Sequence, residues 1–239
     1  MALYVLSDLH LSTNRDTDKS MEVFGGKWHD YMNRIKNNWN RLVSPEDTVV
    51  VNGDLSWAMT LEEATSDFSF LESLNGTKII SKGNHDYWWS TAKKINEFFA
   101  DNQIESVKLL HNSAFSIDGV TVCGCRGWYN DDKNASMPKN ADYDKIVKRE
   151  AARLKASLAE GEKLAPGQEK IAFLHFPPVW GDFVCNEIVD VLKAAGVKRC
   201  YFGHIHGLYD IPGSFVHDEI KFIMTSADFL NFTPLHINI

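Results

Sequence analysis

Carboxylate, imidazole and amide side chains occur at five places in the sequence, each directly after a short apolar run. The segments are Asp8-Leu9-His10, Gly53-Asp54, Gly83-Asn84-His85-Asp86, His175 and Gly203-His204-Ile205-His206. Histidine together with carboxylate suits manganese, iron, zinc or nickel better than calcium or magnesium. Seven candidate ligands are too many for one tetrahedral ion, but they fit two adjacent ions that share a carboxylate, as in two-metal hydrolysis. The candidate metal ligands are Asp8, His10, Asp54, Asn84, His175, His204 and His206.

Each motif also has a simple structural interpretation when it is taken alone. An Asp-x-His pair occurs by chance, Gly-Asp is a common turn, and Gly-Asn-His-Asp could be a turn with capping side chains. The combination is harder to explain in this way, because five of the nine histidines fall in these motifs. The other four are scattered and are interpreted as surface or structural residues: His29, His111, His217 and His236. The motifs together therefore favour a metal centre.

Six buried strands are predicted, five of them directly before the motifs, and two further strands near the C-terminal end are predicted to close a sheet. The predicted strands are Ala2–Ser7, Thr48–Asn52, Lys78–Ser81, Val120–Gly124, Lys170–Leu174, Arg199–Phe202, Phe215–Thr225 and Leu235–Ile239. Their aliphatic composition indicates burial on both faces. Since ligand sites in open α/β sheets lie at the carboxyl edge of the strands, we expect the five motifs to meet there.

Three stretches between the strands have the apolar spacing of amphipathic helices. Their apolar faces are Trp28, Met32, Ile35, Trp39 and Leu42; Tyr143, Val147, Ala151, Leu154 and Leu158; and Val184, Ile188, Val191 and Ala195. Gly161 and Gly196 are predicted to end the second and third helices. Polar residues 130–138 predict a surface loop. Helices that alternate with strands in this way predict an α/β chain with helices on both faces of the strands.

The composition is that of an ordinary globular protein, and it predicts a single domain over residues 1–239. The net charge of −7 argues against non-specific binding to nucleic acid. No apolar run is long enough to cross a bilayer, and the first residues are interpreted as a core strand instead of a signal peptide. The four cysteines are typical of reduced intracellular thiols, so we expect a cytoplasmic location and no membrane partner.

In their order along the chain, the motifs resemble those of the calcineurin-like metallophosphoesterase superfamily and span residues 8–206. The resemblance implies a four-layer α/β/β/α sandwich, with two mixed sheets face to face and helices outside. It implies that Asp54 bridges two divalent ions. The ion ligands implied are Asp8, His10, Asp54 and His206 for one ion, and Asp54, Asn84, His175 and His204 for the other.

The resemblance also implies that His85 stabilises the transition state or protonates the leaving oxygen. Asp86 could fix the tautomer of His85 through a hydrogen bond, or it could cap the helix that follows, and both roles stay open. The expected reaction is hydrolysis of a small phosphomonoester or phosphodiester by a metal-bridging hydroxide. Two divalent ions with Asp8 and Asp54 leave a formal charge of about +2, which suits a phosphate.

The sequence departs from the protein Ser/Thr phosphatases of this superfamily, which carry Gly-Asp-x-Val-Asp-Arg-Gly. Here the stretch is Gly53-Asp54-Leu55-Ser56-Trp57-Ala58, without the arginine, so protein phosphatase activity is not expected. A nuclease of the same superfamily is one alternative, disfavoured by the net charge of −7 and the lack of a basic arm. A non-catalytic, metal-dependent scaffold is another alternative, disfavoured by the presence of His85.

The residues that shape a substrate pocket stay open at this point. Six aromatic residues near the motifs could form a rim that stacks on a planar substrate, or they could pack in lids and core. They are Trp57, Trp88, Trp89, Trp128, Tyr129 and Trp180. Arg126 could contact a phosphate or form a surface salt bridge.

Overall fold

Two β-sheets pack face to face in the computed structural model, which describes residues 1–14, 19–128 and 142–239. Helices cover the outer face of each sheet. This is the four-layer α/β/β/α arrangement that the resemblance implied. The predicted surface loop at residues 130–138 and Tyr129 lie outside the described residues.

The first sheet has four parallel strands and one antiparallel edge strand. Its strand order is β13 (Leu235–Ile237), β1 (Leu3–Val5), β2 (Thr48–Asn52), β3 (Thr77–Ser81) and β4 (Val107–Leu109). β13 pairs antiparallel with β1, while β1 to β4 all run the same way. The carboxyl ends of these four strands therefore lie along one edge.

The second sheet has four parallel central strands between two antiparallel edge strands. Its order is β11 (Ser214–His217), β12 (Ile220–Met224), β10 (Arg199–Phe202), β7 (Glu169–Leu174), β6 (Val120–Cys125) and β5 (Ala114–Ile117). A short separate hairpin consists of β8 (Val179–Trp180) and β9 (Phe183–Val184).

Five α-helices occur in the described parts of the chain, three against the first sheet and two against the second. They are α1 (Tyr31–Leu42), α2 (Thr65–Glu72), α3 (Ala92–Asp101), α4 (Tyr143–Leu164) and α5 (Asn186–Ala194). α1 buries Tyr31, Ile35 and Trp39. Ile35 and Trp39 belong to the predicted apolar face, whereas Leu42 of that face is exposed. Trp28 precedes α1 in a short 3₁₀ turn, Gly26–Trp28.

Side-chain alternation along the strands explains why both faces of each sheet are buried. In β2, Val49 and Val51 pack under the helices, and Val50 packs against the second sheet. From the second sheet, Ile171 and Phe173 point into the same inter-sheet layer as Val50. Continuous aliphatic runs therefore correctly predicted strands buried on both sides.

Two sequence predictions differ from the structure because of local turn and packing geometry. The stretch Phe215–Thr225 is a hairpin, since Asp218 and Glu219 both adopt positive φ and reverse the chain between β11 and β12. This turn lacks the Asn-Gly or Asp-Gly pair that marks such hairpins in a sequence. Gly161 does not end its helix, because α4 continues to Leu164. The sequence analysis also did not predict α2 and α3.

The described residues add two further facts about the chain. Its four cysteines are buried free thiols: Cys123, Cys125, Cys185 and Cys200. Across residues 1–14, 19–128 and 142–239, each helix is too short or too polar to span a bilayer.

Gly161 lets α4 approach the second sheet closely. A Cβ at this position would lie 2.7 Å from Sγ of Cys123 and 2.8 Å from Cγ2 of Thr121. We expect Gly161→Val to lower the free energy of unfolding by about 1–3 kcal/mol, because the added methyl groups overpack a buried contact. Urea denaturation measures the difference.

Ala159→Val is the matched control for Gly161→Val, because Ala159 lies on the exposed side of the same helix. The control should change the free energy of unfolding by no more than about 0.7 kcal/mol, which is the loss of helix propensity. Equal effects at the two positions would contradict the close packing of α4 on β6.

Candidate metal centre

The five motifs meet where the carboxyl edges of the two sheets are joined by hydrogen bonds. After β1, the Ser7 amide donates to the Thr225 carbonyl at 2.9 Å, and the Ala227 amide donates to the Ser7 carbonyl at 2.9 Å. At the end of β2, the side-chain amide of Asn52 donates to the carbonyls of Leu174 and Tyr201. These bonds hold the ends of β1 and β2 against the ends of β7, β10 and β12.

Asp8, His10 and His206 form the first group of donor atoms. One nitrogen or oxygen from each lies within 4.8 Å of the others, and the two Nε2 atoms of His10 and His206 are 3.2 Å apart. His206 Nδ1 lies 2.9 Å from a carboxylate oxygen of Asp228, which fixes the ring so that Nε2 faces the group. A carboxylate behind a histidine ring commonly orients metal-binding histidines in this way.

Asp54, His175 and His204 form the second group, again with donor atoms within 4.8 Å of one another. Asn84 joins this group, because its side-chain oxygen lies 2.7 Å from His175 Nε2. His175 Nδ1 lies 3.3 Å from the Asn52 carbonyl, so a ring with its proton on Nδ1 would donate to this carbonyl and leave Nε2 free for a cation. In this tautomer the Nε2 lone pair and the Asn84 oxygen point into the same space, which suits a shared cation.

Asp54 lies between the two groups. Its Oδ2 atom is 3.8 Å from His10 Nε2 and 3.5 Å from His175 Nε2. Its other oxygen, Oδ1, accepts a 2.8 Å hydrogen bond from the backbone amide of His85. The carboxylate is thus anchored on one side and faces both groups with the other.

Four of the seven candidate ligands have left-handed backbone conformations, which non-glycine residues adopt at a cost of about 1–3 kcal/mol each. These are Asp8 (φ 59°), His10 (φ 46°), Asp54 (φ 52°) and His204 (φ 70°). Asp and His tolerate this region better than most residues. Because β-strands cannot continue through such a residue, the chain turns there and the side chains converge.

Close backbone approach explains two of the motif glycines. A Cβ on Gly83 would collide with the side chain and backbone amide of Asp54. A Cβ on Gly203 would lie 2.5 Å from Oδ2 of Asp8 and 2.7 Å from Cβ of Ser7. The missing side chains let both carboxylates sit against the neighbouring strand ends.

Burial dominates the electrostatics of the two groups. It raises the pKa of Asp8 to about 7, opposed by the charge of His206, and it raises the pKa of Asp54 well above its usual value, together with repulsion from Asp86 and Asp8. Burial and neighbouring imidazoles lower the pKa values of His10 and His175 well below the usual value. Neutral imidazoles and buried carboxylates are the donor set that a divalent cation stabilises.

His85 and Asp86 occupy different environments. The His85 ring is partly exposed and lies 5.7 Å from the His10 ring, and its buried Nδ1 has no hydrogen-bond partner among the described residues. The hydrogen bond from the His85 ring to Asp86, one of the two roles left open for Asp86, is not among the bonds that Asp86 accepts. Asp86 does not cap the next helix either, because Thr91 is the N-cap of α3.

Asp86 instead organises the loop that carries Asp54. Its two oxygens accept hydrogen bonds from the backbone amides of Gly83, Asp54, Leu55 and Ser56 and from the Trp88 indole, at 2.7–3.3 Å. The side chain is fully buried. Asp86 thus holds the Gly53-Asp54 motif and its own motif, which begins at Gly83, together.

Sequence reasoning missed Asp228 and Asn52 as residues that orient histidines. Asp228 follows β12, a parallel strand whose carboxyl end lies at the same edge, so the strand-end rule that found the motifs could also have indicated it. Asn52 was the last residue of a predicted strand, but its bonds to the opposite sheet depend on how the sheets pack.

The aromatic residues divide into two groups. Trp88 and Trp128 are buried, and Trp180 packs on Phe202, so these three belong to the core. Trp57 lies at the candidate centre, 5.0 Å from the His10 ring and 4.4 Å from the His85 ring. Trp89 lines a nearby cavity together with Arg126.

Comparison with known proteins relates the whole arrangement to one family. A family model described as calcineurin-like phosphoesterase matches residues 1–208. A search of curated proteins gave no match. Among solved structures, phosphopantetheinyl hydrolase (PptH) from Mycobacterium tuberculosis matches with a TM-score of 0.57 and 15% identity, over 99% of this chain and 95% of that chain.

Two further solved structures have the same fold at low sequence identity. The protein TT1561 of Thermus thermophilus matches with a TM-score of 0.52 and 10% identity, over 99% of this chain and 97% of that chain. GAP50, the anchor in the inner membrane complex of Plasmodium, matches with a TM-score of 0.51 and 14% identity, over 95% of this chain and 72% of that chain. At such identities the matches establish the fold alone.

The hydrogen bonds of Asp86 predict a large effect on stability. We expect Asp86→Ala to lower the free energy of unfolding by about 3–5 kcal/mol, because it leaves several buried donors without an acceptor. Chemical denaturation followed by circular dichroism measures the loss.

Asp142→Ala provides the comparison for Asp86→Ala. Asp142 is an exposed N-cap that accepts one backbone hydrogen bond, from Lys145 at 3.1 Å, so its removal should lower the free energy of unfolding by only about 1 kcal/mol. A loss at Asp86 no larger than the loss at Asp142 would refute the organising role of Asp86.

Proposed function

Because the chain belongs to the calcineurin-like phosphoesterase family, we propose that it is a single-domain, metal-dependent phosphohydrolase that cleaves a small phosphomonoester or phosphodiester. The observation that carries this proposal is the pair of adjacent donor groups with Asp54 between them. Their mixture of imidazole and carboxylate favours manganese, iron, zinc or nickel.

Asp8, His10 and His206 would hold one ion, and Asn84, His175 and His204 would hold the other, with Asp54 shared. When bound, two such ions supply Lewis acidity and an activated water at neutral pH. The protein supplies the fixed geometry: Asp228 orients His206, the Asn52 carbonyl orients His175, and the His85 amide anchors Asp54. Because these partners are buried or partly buried, the donors need little rearrangement when ions bind.

His85 is the residue placed to act on the leaving oxygen. Its ring stands beside His10, is partly exposed and lies outside both donor groups. The Trp57 ring at 4.4 Å holds it in position. We assign His85 the role of protonating or hydrogen-bonding the oxygen that departs from phosphorus.

A cavity beside Trp57, lined by four apolar or aromatic side chains together with Lys19 and Ser20, gives the organic part of the ester a place to bind. Its volume is about 390 Å³, and its walls include Val23, Phe24, Trp57 and Tyr87. Val23, Phe24 and Tyr87 are more than half exposed to solvent. Exposed apolar side chains beside a polar centre favour a substrate whose leaving group is apolar or aromatic.

Metal-dependent hydrolysis of model esters tests the proposed function. Protein freed of metal by a chelator should not hydrolyse p-nitrophenyl phosphate or bis-p-nitrophenyl phosphate, and addition of Mn²⁺ should restore release of p-nitrophenol. The ratio of the two rates would show whether monoesters or diesters are preferred.

A negative result would distinguish between the alternative functions. No hydrolysis with manganese, iron, zinc or nickel would contradict the proposed function and favour a scaffold. Cleavage of DNA or RNA without hydrolysis of the small esters would favour a nuclease.

Substitution of His85 should separate catalysis from metal binding. We expect His85→Asn to lower kcat by about 100-fold or more, because it removes the proton donor, while the metal content stays that of the unsubstituted protein. Steady-state kinetics and elemental analysis measure the two quantities.

Asp54→Asn is the contrasting variant, because Asp54 faces both donor groups. It should lose bound metal as well as activity. If His85→Asn lost metal to the same extent as Asp54→Asn, the role assigned to His85 would be wrong.

A further inference from the structure

A second cavity, of about 420 Å³, lies beside the candidate metal centre, and its walls carry four cationic side chains and one carboxylate. Apart from the Cys125 thiol, the charged and titratable residues that line it are Lys82, His111, Arg126, Arg149, Glu150 and Arg153. The N-terminus of α3, at Thr91 and Ala92, forms another part of the wall. Volumes of roughly 300–1,000 Å³ are typical of sites for small molecules.

Glu150 gathers the arginines of this cavity. Its Oε1 atom lies 2.7 Å from Arg153, 3.5 Å from Arg149 and 3.7 Å from Arg126. Glu150 itself is fully buried. One carboxylate oxygen thus holds three guanidinium groups close together.

The positive charge of the cavity exceeds what Glu150 can neutralise. Lys82 and three arginines face one carboxylate, in a chain whose net charge is −7. Burial and the charges of Arg149 and Arg153 lower the pKa of Arg126, against the attraction of Glu150. Nε of Arg126 is buried without a hydrogen-bond partner among the described residues. An anion in the cavity would relieve this repulsion and accept such hydrogen bonds.

The cavity and the donor groups are separated by one aromatic ring. The Arg126 guanidinium lies 5.7 Å from the centre of the Phe176 ring, and the His204 ring lies 4.5 Å from that same centre. Phe176 directly follows the candidate ligand His175. A molecule of modest length could therefore reach both places at once.

We propose that this cavity binds a second phosphoryl group of the substrate while the scissile phosphoester lies at the donor groups. The inference rests on the proposed function and narrows it to phosphoesters that carry a second anionic end. A phosphoryl dianion matches the excess of cations better than a carboxylate does. Its three oxygens also match several guanidinium forks.

Calorimetric titration with inorganic phosphate tests the cavity directly. The Mn²⁺-loaded protein should bind two phosphates per chain, one at the metal centre and one in the cavity. Arg149→Met should lower the affinity of the cavity for phosphate by about tenfold or more, because it removes a charged hydrogen bond. Arg149 is half exposed, and its removal leaves Glu150 paired with Arg153, so the variant should fold.

Two comparison variants keep the titration specific. Lys148→Met removes a positive charge from the adjacent, exposed position of α4, outside the cavity wall, and should leave both phosphates bound. Arg149→Lys retains the charge and should recover part of the lost affinity.

The number of bound phosphates separates the two proposals. One phosphate per chain, unaffected by Arg149→Met, would overturn the cavity inference and leave the metal centre intact. One phosphate per chain that is weakened by Arg149→Met and indifferent to Mn²⁺ would support the cavity and contradict the metal centre.

Substrate selectivity shows whether the bound phosphoryl group belongs to the substrate. Hexanediol bisphosphate has two equivalent phosphate groups, so its kcat/KM is counted per phosphate group. The ratio of this kcat/KM to that for hexyl phosphate, followed by phosphate release, should exceed one. Arg149→Met should lower that ratio by about tenfold, and Lys148→Met should not. Equal kcat/KM values for the two esters in the unsubstituted protein would overturn the assignment of the cavity to substrate.

Discussion

The hydrogen bonds between the carboxyl edges of the two sheets are the constraint on which the candidate centre depends. Each sheet delivers only part of the donor set: Asp8 and Asp54 come from the first sheet, and His175 comes from the second. Asn52 links β2 to the ends of β7 and β10 through its side chain, where apolar packing between the sheets could not fix a position to within a hydrogen-bond length. The apolar core between the sheets therefore stabilises their association, and these polar bonds fix the position of one sheet edge relative to the other.

The relative position of the two sheet edges alone would not assemble the centre, because buried carboxylates and left-handed backbone conformations are both unfavourable. The structure offsets these costs with hydrogen bonds between different motifs. Asp8 accepts a hydrogen bond from the backbone amide of His204, and Asp54 accepts one from the backbone amide of His85. Each carboxylate is therefore stabilised by a motif that follows another strand. Asp86 adds to this stabilisation by accepting hydrogen bonds from the backbone amides of Asp54 and Gly83. Even with these bonds, burial disfavours the ionised forms of both carboxylates, as the raised pKa values of Asp8 and Asp54 indicate.

The sequence predicted the features that depend on residue type and local order. Aliphatic runs predicted β2 and β10 with their observed bounds, because strands buried on both faces need continuous apolar residues. Features that depend on tertiary contact were not predictable. The turn at Asp218 and Glu219 has no characteristic residue pair, and Gly161 looked like a helix end because its packing partner, Cys123, lies on a distant strand. Asp86 was misjudged for the same reason, since its carboxylate oxygens accept hydrogen bonds from amides about 30 residues away.

The two cavities beside the centre bear on specificity more directly than the motifs do. The motif residues fix where bond cleavage would occur, and they would do so for any ester that fits. Around them, one side is apolar, with Phe24 and Trp57, and the other is cationic, with Arg126 and Arg149. None of these four residues belongs to the donor groups. Since a phosphoester at the centre must extend toward one or both sides, the chemistry of its two ends would decide which esters are bound.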